Sequence, residues 1–112
     1  MAAEIEQASA EAADPLWRLP LWAGYEEAVD SDIADLKNDP DGWAQAGSIT
    51  AALFLKRFAP QGSWVHLDIF AWNSKARPGY APGAEAQASA PCCACSGNGI
   101  RERRRAPSPI LV

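Results

Sequence analysis

Cysteine and histidine are scarce in this chain of 112 residues, and their distribution excludes several kinds of site. The first 91 residues contain no cysteine and one histidine, His66, whereas a zinc site takes three or more convergent ligands. The three cysteines, Cys92, Cys93 and Cys95, stand within four positions of one another. The main body of the chain therefore carries no sign of a disulfide framework or an oxidising compartment.

Long apolar runs and targeting segments are also missing. No run approaches the roughly 20 apolar residues that a membrane-spanning helix needs. The N-terminal M-A-A-E-I-E-Q-A-S-A-E-A-A has neither the basic start nor the apolar centre of a secretory signal. We therefore expect a cytoplasmic location and no membrane partner.

Basic residues are few in the main body of the chain, residues 1–88. Residues 1–88 carry 6 Lys+Arg against 13 Asp+Glu, a net charge of −7, and residues 89–112 carry 4 against 1, a net charge of +3. An acidic body gives no reason to expect a nucleic-acid partner. The five tryptophans lack the basic groove of a stacking platform for single strands, so core and interface packing explains them better.

The first 40 residues combine helical and extended patterns. Ala2–Ala13 is rich in alanine and glutamate, which favour a helix, and Pro15 ends it. Leu16–Trp22 is apolar and extended, with prolines that suit an edge or an irregular connection. Tyr25–Val29 is predicted as a short helix, and Ser31–Asn38 as an extended or turn segment.

The stretch Gly47–Ile69 predicts a helix, a tight turn and a buried strand. Ser48 is the predicted N-cap, and Pro60 and Gly62 stop the helix. The apolar face is so broad that we expect neighbours on most sides of this helix. It comprises Ile49, Ala52, Leu53, Phe54, Leu55 and Phe58. Trp64–Phe70 is the predicted strand, and a helix followed by a strand is half of an α/β unit.

Two further segments are predicted to lack regular structure. Trp72–Gly83 is a loop rich in glycine and proline. Residues 89–112 have no hydrophobic period and contain three prolines, a cysteine cluster and an arginine run. We expect poor order there and divide the chain into residues 1–88 and residues 89–112.

Three groups of residues invite a functional interpretation. His66 and Asp68 share one face of the predicted strand, where a carboxylate can fix a histidine tautomer for base or ligand chemistry. The alternative, which we favour, is a satisfied structural polar group. Cys92, Cys93 and Cys95 depart from the usual paired metal spacing. Arg101–Arg105 offers phosphate contacts or a targeting signal, against a solvated basic run as the simpler interpretation.

Several sequence blocks resemble the leucyl aminopeptidase family, the two-metal cytosolic aminopeptidases. They are D-P-L-W-R-L-P-L-W, Y-E-E-A-V-D-S-D-I-A-D-L-K-N, A-G-S-I-T-A-A-L-F-L-K-R-F, W-V-H-L-D-I-F-A-W-N and P-G-Y-A-P-G-A-E-A-Q. The resemblance covers about residues 10–88. It implies an α/β fold, namely a fragment of the mixed-sheet, helix-flanked catalytic domain. It also implies a peptide substrate, two divalent metal ions (zinc or manganese) and a homo-hexamer in the intact enzyme.

The family's N-T-D-A-E-G-R signature, which supplies metal ligands and an arginine, is absent from this sequence. The upstream lysine and aspartate ligands are absent too. The resemblance therefore implies no catalytic residue, no metal ligand and no activity for the isolated chain. By position it makes Phe70 and Asn73 part of the wall of the substrate pocket. The alternative function is that of a truncated paralogue, a non-catalytic interaction partner of full-length subunits.

The end of the chain departs from the family. After P-G-x-x-P-G-A-E-A-Q the family continues into an apolar C-terminal helix, whereas here Ala88 precedes S-A-P-C-C-A-C-S-G-N-G. Hydrophobic period, charge and cysteine use all change at one point. We hypothesise a shift of reading frame after Ala88.

Overall fold

The computed structural model describes residues 1–39 and 46–97. In chain order it contains α1 (Ala2–Glu11), a 3₁₀ helix (Ala23–Val29), α2 (Gly47–Lys56), β1 (Trp72–Asn73), β2 (Gly83–Ala84) and α3 (Ser89–Gly97). The helix pairs α1 with α3, and α2 with the 3₁₀ helix, make the main tertiary contacts. No helix in the described ranges is long and apolar enough to span a membrane.

The first predicted helix is confirmed as α1. Its buried face consists of Ala2, Ile5 and Ser9, at the spacing of one helical stripe. The Ser9 hydroxyl donates to the Asp14 carbonyl at 2.6 Å and accepts from the Leu16 amide at 2.9 Å. This buried serine therefore ties the end of α1 to the chain that leaves it.

The prediction of poor order from residue 89 onward is wrong for Ser89–Gly97, which forms α3 against α1. Ala88 and Pro91 are buried. Pro91 lies in the first turn, where the missing N–H would have no intrahelical partner in any case. Packing on α1 thus stabilises a helix that local periodicity does not predict. Residues 98–112 lie outside the described residues, so poor order there, and the division at residue 88, stay predictions.

The second predicted helix is confirmed as α2, and it carries the central apolar cluster of Ile49, Ala52 and Leu53. Leu19, Leu21, Tyr25, Ala46 and Trp64 pack against this cluster. Only one face of the helix is covered in this way. Leu55 of the helix and Phe58, two residues after its end, remain exposed, although the sequence predicts neighbours on most sides.

The N-cap prediction for α2 is wrong. The N-cap is Ala46, in the left-handed region with φ 59°, and the helix begins at Gly47. Ser48 is therefore already within the first turn, whereas an N-cap residue has non-helical dihedral angles. The Thr50 hydroxyl donates to the Gly47 carbonyl at 3.0 Å.

The predicted strand Trp64–Phe70 does not form as a strand. Within it only Leu67 occupies a β-bridge position. Trp64 through Asp68 are half-buried and Ile69 and Phe70 are exposed, so burial does not alternate. A strand needs a ladder of hydrogen bonds from a neighbouring strand, and the one sheet in the described residues pairs β1 with β2 instead.

The sheet lies in the segment Trp72–Gly83 that is predicted as a loop, except that β2 extends one residue beyond it to Ala84, so the loop prediction is wrong at both strands. β1 and β2 are antiparallel, with Trp72 opposite Ala84 and Asn73 opposite Gly83. The helices of the expected α/β fold are therefore present together with a small antiparallel sheet. The mixed sheet is not seen in the described residues.

The molecule has the shape of a slab. Its principal extents are 48 × 39 × 18 Å and its radius of gyration is 16.0 Å. A compact domain of this length has a radius of gyration of about 13 Å. An 18 Å extent accommodates two helices whose axes are about 8–10 Å apart, since the Cα radius of each is about 2.3 Å. The chain is therefore flatter and less compact than a globular domain of its length.

Candidate functional site

The two predicted pocket residues lie at the junction between the extended segment and the hairpin. Phe70 is 78% exposed and is the last residue before a change of chain direction. Ala71 makes that change in the left-handed region, with φ 53°. Asn73 is half-buried in β1. The pair is thus close in sequence, but only Phe70 presents a large side chain to solvent.

The backbone around Ala71 is held from both sides by one segment. The Ala71 amide donates to the Gln87 side-chain carbonyl at 2.9 Å. The Ala71 carbonyl accepts from the Glu85 amide at 3.0 Å. These two bonds fix the backbone next to Phe70, so Gln87 is a positioning residue that the sequence interpretation missed.

Asn73 makes a specific structural contact. Its amide Nδ2 donates to the Ala81 carbonyl at 2.7 Å, across the connection between β1 and β2. The polar end of Asn73 is therefore used by its own chain. Its contribution to a pocket would be the shape of the wall rather than a free amide.

The connection between the strands is organised by Arg77. Its guanidinium bonds the Glu85 carboxylate at 2.6 Å and stands 4.0 Å above the Tyr80 ring centre. The Arg77 and Tyr80 backbones exchange hydrogen bonds of 3.1 and 2.8 Å. Pro78 and Gly79, with φ 83° at the glycine, suit the two central positions of a type II turn. The R-P-G-Y sequence is the signal that could have predicted this turn.

His66 and Asp68 do not form a dyad. In the part of the chain that the structure describes, no hydrogen bond or ion pair joins them, and the His66 Nε2 atom is buried without a partner. The Trp64 ring stands edge-on to the His66 ring, with ring centres 6.5 Å apart. A buried polar atom left unpaired costs about 1–3 kcal/mol. The favoured interpretation of His66 as a satisfied polar group is therefore wrong for this atom.

The described residues do not fit a two-metal centre. No three His, Cys, Asp or Glu side chains converge anywhere in residues 1–39 and 46–93. Cys92 is half-buried and Cys93 exposed, both as free thiols. The Cys95 side chain and the Arg101–Arg105 run lie outside the described residues.

Ion pairs join the 3₁₀ helix and the residue after it to the end of α2. Glu26 of the 3₁₀ helix pairs with Lys56 at 3.3 Å and with Arg57 at 3.7 Å. Arg57 also pairs with Asp30 at 3.7 Å. The basic groups at the end of α2 are therefore neutralised by acidic groups of the same chain.

Comparisons with known proteins point to one family. The model of the cytosol aminopeptidase family, catalytic domain, matches residues 1–92. A probable cytosol aminopeptidase of Geobacter sp. (strain M21) is 48% identical over 80 residues, which is 70% of this chain and 16% of the relative. One of Burkholderia mallei (strain SAVP1) is 51% identical over 81 residues, again 70% of this chain and 16% of the relative.

A solved structure agrees. The crystal structure of a cytosol aminopeptidase from Coxiella burnetii matches with a TM-score of 0.75 and 37% identity. The match covers 89% of this chain and 22% of that chain. The present chain thus spans about one sixth of the length of the curated relatives, at 16% of each.

The family match begins at residue 1 and so includes α1, which lies before the start of the resemblance given by the sequence blocks. It ends at residue 92, inside α3. The resemblance to an aminopeptidase, a hydrolase, is confirmed by the family match and the relatives together. This chain belongs to the cytosol aminopeptidase family.

Proposed function

We propose that this chain is the C-terminal part of a two-metal aminopeptidase catalytic domain, which removes N-terminal residues from peptides in the cytoplasm. The observation that carries the proposal is the family match over residues 1–92. The likeness to the Coxiella structure, with a TM-score of 0.75, supports it.

The contribution of this chain to the reaction is the positioning of a pocket wall. Phe70 faces the first side chain of the peptide, and its bulk limits the size of that side chain. Gln87 and Glu85 hold the backbone of Ala71, and therefore the position of Phe70. Asn73 forms the other part of the wall, and its hydrogen bond to the Ala81 carbonyl fixes its side chain there.

The metal chemistry belongs to the rest of the catalytic domain. When bound there, two divalent ions, zinc or manganese, activate a water and polarise the scissile carbonyl. The described residues of this chain do not supply a site for them. The isolated chain therefore has no aminopeptidase activity, and it binds neither metal tightly.

The activity proposal is tested with two proteins. The purified, metal-loaded chain is assayed on a leucine anilide, where we expect no hydrolysis above a metal-only blank. The second protein is a chimera, in which residues of this chain replace the matched 80-residue segment of the Geobacter enzyme. We expect the chimera to hydrolyse the anilide. A chimera that folds and assembles but is inactive would contradict the proposal, and so would an active isolated chain.

A second candidate function is favoured by one observation. Among the residues that the structure describes, nine large apolar side chains are exposed, and contiguous exposed apolar surface is typical of interaction sites. They are Trp17, Trp22, Ile33, Leu55, Phe58, Ile69, Phe70, Trp72 and Tyr80. In this alternative the chain is a truncated paralogue that associates with full-length subunits, which form the family's homo-hexamer. Co-purification of this chain with an intact relative tests the alternative.

A further inference from the structure

Four alanines among the described residues have a left-handed backbone, and one of them stands next to the predicted pocket wall. They are Ala13, Ala46, Ala71 and Ala88, with φ between 52° and 60°. A Cβ disfavours this region, so a residue other than glycine stays in it where its surroundings hold it there. Ala13, Ala46 and Ala88 lie within two residues of a helix end, whereas Ala71 lies between Phe70 and β1.

The left-handed Ala71 is held by two hydrogen bonds from a single short segment. Its carbonyl accepts from the Glu85 amide at 3.0 Å, which continues the pairing of Trp72 with Ala84 by one residue. Its amide donates to the Gln87 side-chain oxygen at 2.9 Å. Any residue other than proline at position 85 can make the first bond, since it uses the backbone. The second bond requires an acceptor side chain at position 87 and therefore depends on the identity of that residue.

The chain is fixed on both sides of Gln87. The Glu85 carboxylate bonds the Arg77 guanidinium at 2.6 Å, and the Glu85 side chain is 18% exposed. Ala88, the next residue after Gln87, is 3% exposed and directly precedes α3, which packs against α1. An acceptor on a fixed backbone loses less conformational freedom on bonding than one on a free loop. The Gln87 side chain is therefore well placed to restrain Ala71.

The position of Phe70 depends on this backbone, because its own side chain is 78% exposed and packing restricts it little. The direction of its Cβ is set by the chain, and the chain turns at the next residue, Ala71. If Ala71 left the left-handed region, the place of the Phe70 ring would change with it. The hydrogen bond from Ala71 to Gln87 thus controls where the ring stands.

We propose that Gln87 is a positioning residue that determines substrate specificity. Its hydrogen bond to the Ala71 amide keeps the Phe70 ring in one place, where the ring excludes the bulkiest first side chains of a peptide. The inference rests on the proposed function, because that function places Phe70 against the first side chain of the substrate. It goes further in assigning the size limit of the pocket to one acceptor atom, Gln87 Oε1, which acts through Ala71 and Phe70.

Two substitutions of matched size separate the acceptor atom from the shape of the side chain. Gln87→Met keeps the length of the side chain but replaces the oxygen by a methyl group. Gln87→Glu keeps an oxygen that accepts from the Ala71 amide. Gln61→Met, at an exposed position, is the control for the change of residue type. Circular dichroism of each variant checks that the helices are retained.

Hydrogen exchange of the Ala71 amide in the full 112-residue chain measures the restraint directly. Gln87→Met should speed this exchange by about fivefold, as expected for the loss of one hydrogen bond. Gln87→Glu and Gln61→Met should leave it within about twofold of the unchanged chain. Gln87→Asn, whose amide is one methylene too short to reach, should act like Gln87→Met and replaces it if the methionine variant does not fold. Unchanged exchange in the variants without the acceptor would overturn the proposal.

Specificity is measured in the chimera with the Geobacter enzyme, on leucine and tryptophan anilides. In Gln87→Met the ratio of kcat/KM for leucine to that for tryptophan should fall by at least about fivefold, mainly through a lower KM for tryptophan. Gln87→Glu should restore the ratio.

The ratio also separates positioning from a general loss of stability. A variant that merely loosened the fold would lower both kcat/KM values together and leave the ratio unchanged, and that result would overturn the inference. A chimera that folds and assembles but is inactive would contradict the proposed function and this inference with it. An active chimera whose ratio does not respond to Gln87→Met would leave the proposed function standing and remove only the role of Gln87.

Discussion

Helix α2 and the segment Trp64–Phe70 have similar apolar content, but they differ in how far their side chains are buried. α2 buries Leu53 to 1% exposure against neighbours from its own chain. The segment Trp64–Phe70 stays half-buried or exposed, with a single bridge position. A helix satisfies its backbone hydrogen bonds internally, whereas a strand depends on a neighbour for them. We call α2 the closed part and residues 64–70 the open part. The closed part can therefore form its backbone hydrogen bonds within this chain, whereas the open part needs a neighbouring strand to form its own.

The largest expected effect on the free energy of unfolding is the difference between two leucines of α2, the buried Leu53 and the exposed Leu55. Leu53→Ala should lower the free energy of unfolding by about 2–5 kcal/mol, because it leaves a cavity in the central cluster. Leu55→Ala, on the same helix at 47% exposure, should cost less than about 1 kcal/mol. Urea denaturation followed by circular dichroism measures both. Similar losses for the two variants would remove the distinction between the faces.

The next effect concerns the buried hydroxyl that closes the end of α1. Ser9→Ala should cost about 1–3 kcal/mol, because the Leu16 amide and the Asp14 carbonyl lose their partner. Ser89→Ala is the matched control, since the Ser89 hydroxyl donates to Ala86 at an exposed position. We expect the control to change unfolding by less than about 0.5 kcal/mol. An unchanged free energy of unfolding for Ser9→Ala would show that the two hydrogen bonds of the Ser9 hydroxyl do not stabilise the end of α1.

The hairpin of β1 and β2 follows the segment 64–70 along the chain, and a change in its connection should have a local effect. Arg77→Ala removes the guanidinium from both Glu85 and Tyr80, for a local loss of about 1 kcal/mol. Hydrogen exchange of the Tyr80 amide, which bonds the Arg77 carbonyl, should then speed up by about fivefold. Lys75→Ala, at an exposed neighbouring position, should leave that exchange rate unchanged.

The smallest effect is that of the ion pairs that brace α2. Glu26→Gln should cost about 0.5 kcal/mol at low salt, because these partly exposed pairs are screened by water. The loss should shrink in 1 M salt, where the screening length falls to about 3 Å. Glu27→Gln is the control, since Glu27 has no ion pair in the described residues. A larger and salt-independent loss would indicate a buried network instead.

The sequence predicts those elements whose stability is local. Alanine and glutamate in α1, and the apolar spacing of α2, sufficed to predict both helices, and the predicted range Ala2–Ala13 ends within two residues of the observed end of α1. The elements that depend on distant contacts were missed. α3 packs against α1, Ala88 and Pro91 are buried, and no local period in the sequence predicts that packing.

The candidate site follows the same rule. The resemblance directed attention to Phe70 and Asn73, and their part in a substrate pocket stays a proposal. Local sequence patterns do not predict the hydrogen bond from Asn73 to Ala81 or the one from Ala71 to Gln87, because both join residues eight or more positions apart. The unpaired His66 Nε2 was missed because the predicted strand was assumed to have neighbours.

Hydrogen exchange of the isolated chain and of the active chimera tests the central claim most directly. In the isolated chain, amides of α2 should be protected and those of residues 64–70 should exchange within seconds. In the chimera, residues 64–70 should gain protection to the level of α2, because the rest of the catalytic domain covers them. Equal protection of residues 64–70 in both proteins would contradict the account, since the segment would then be complete on its own.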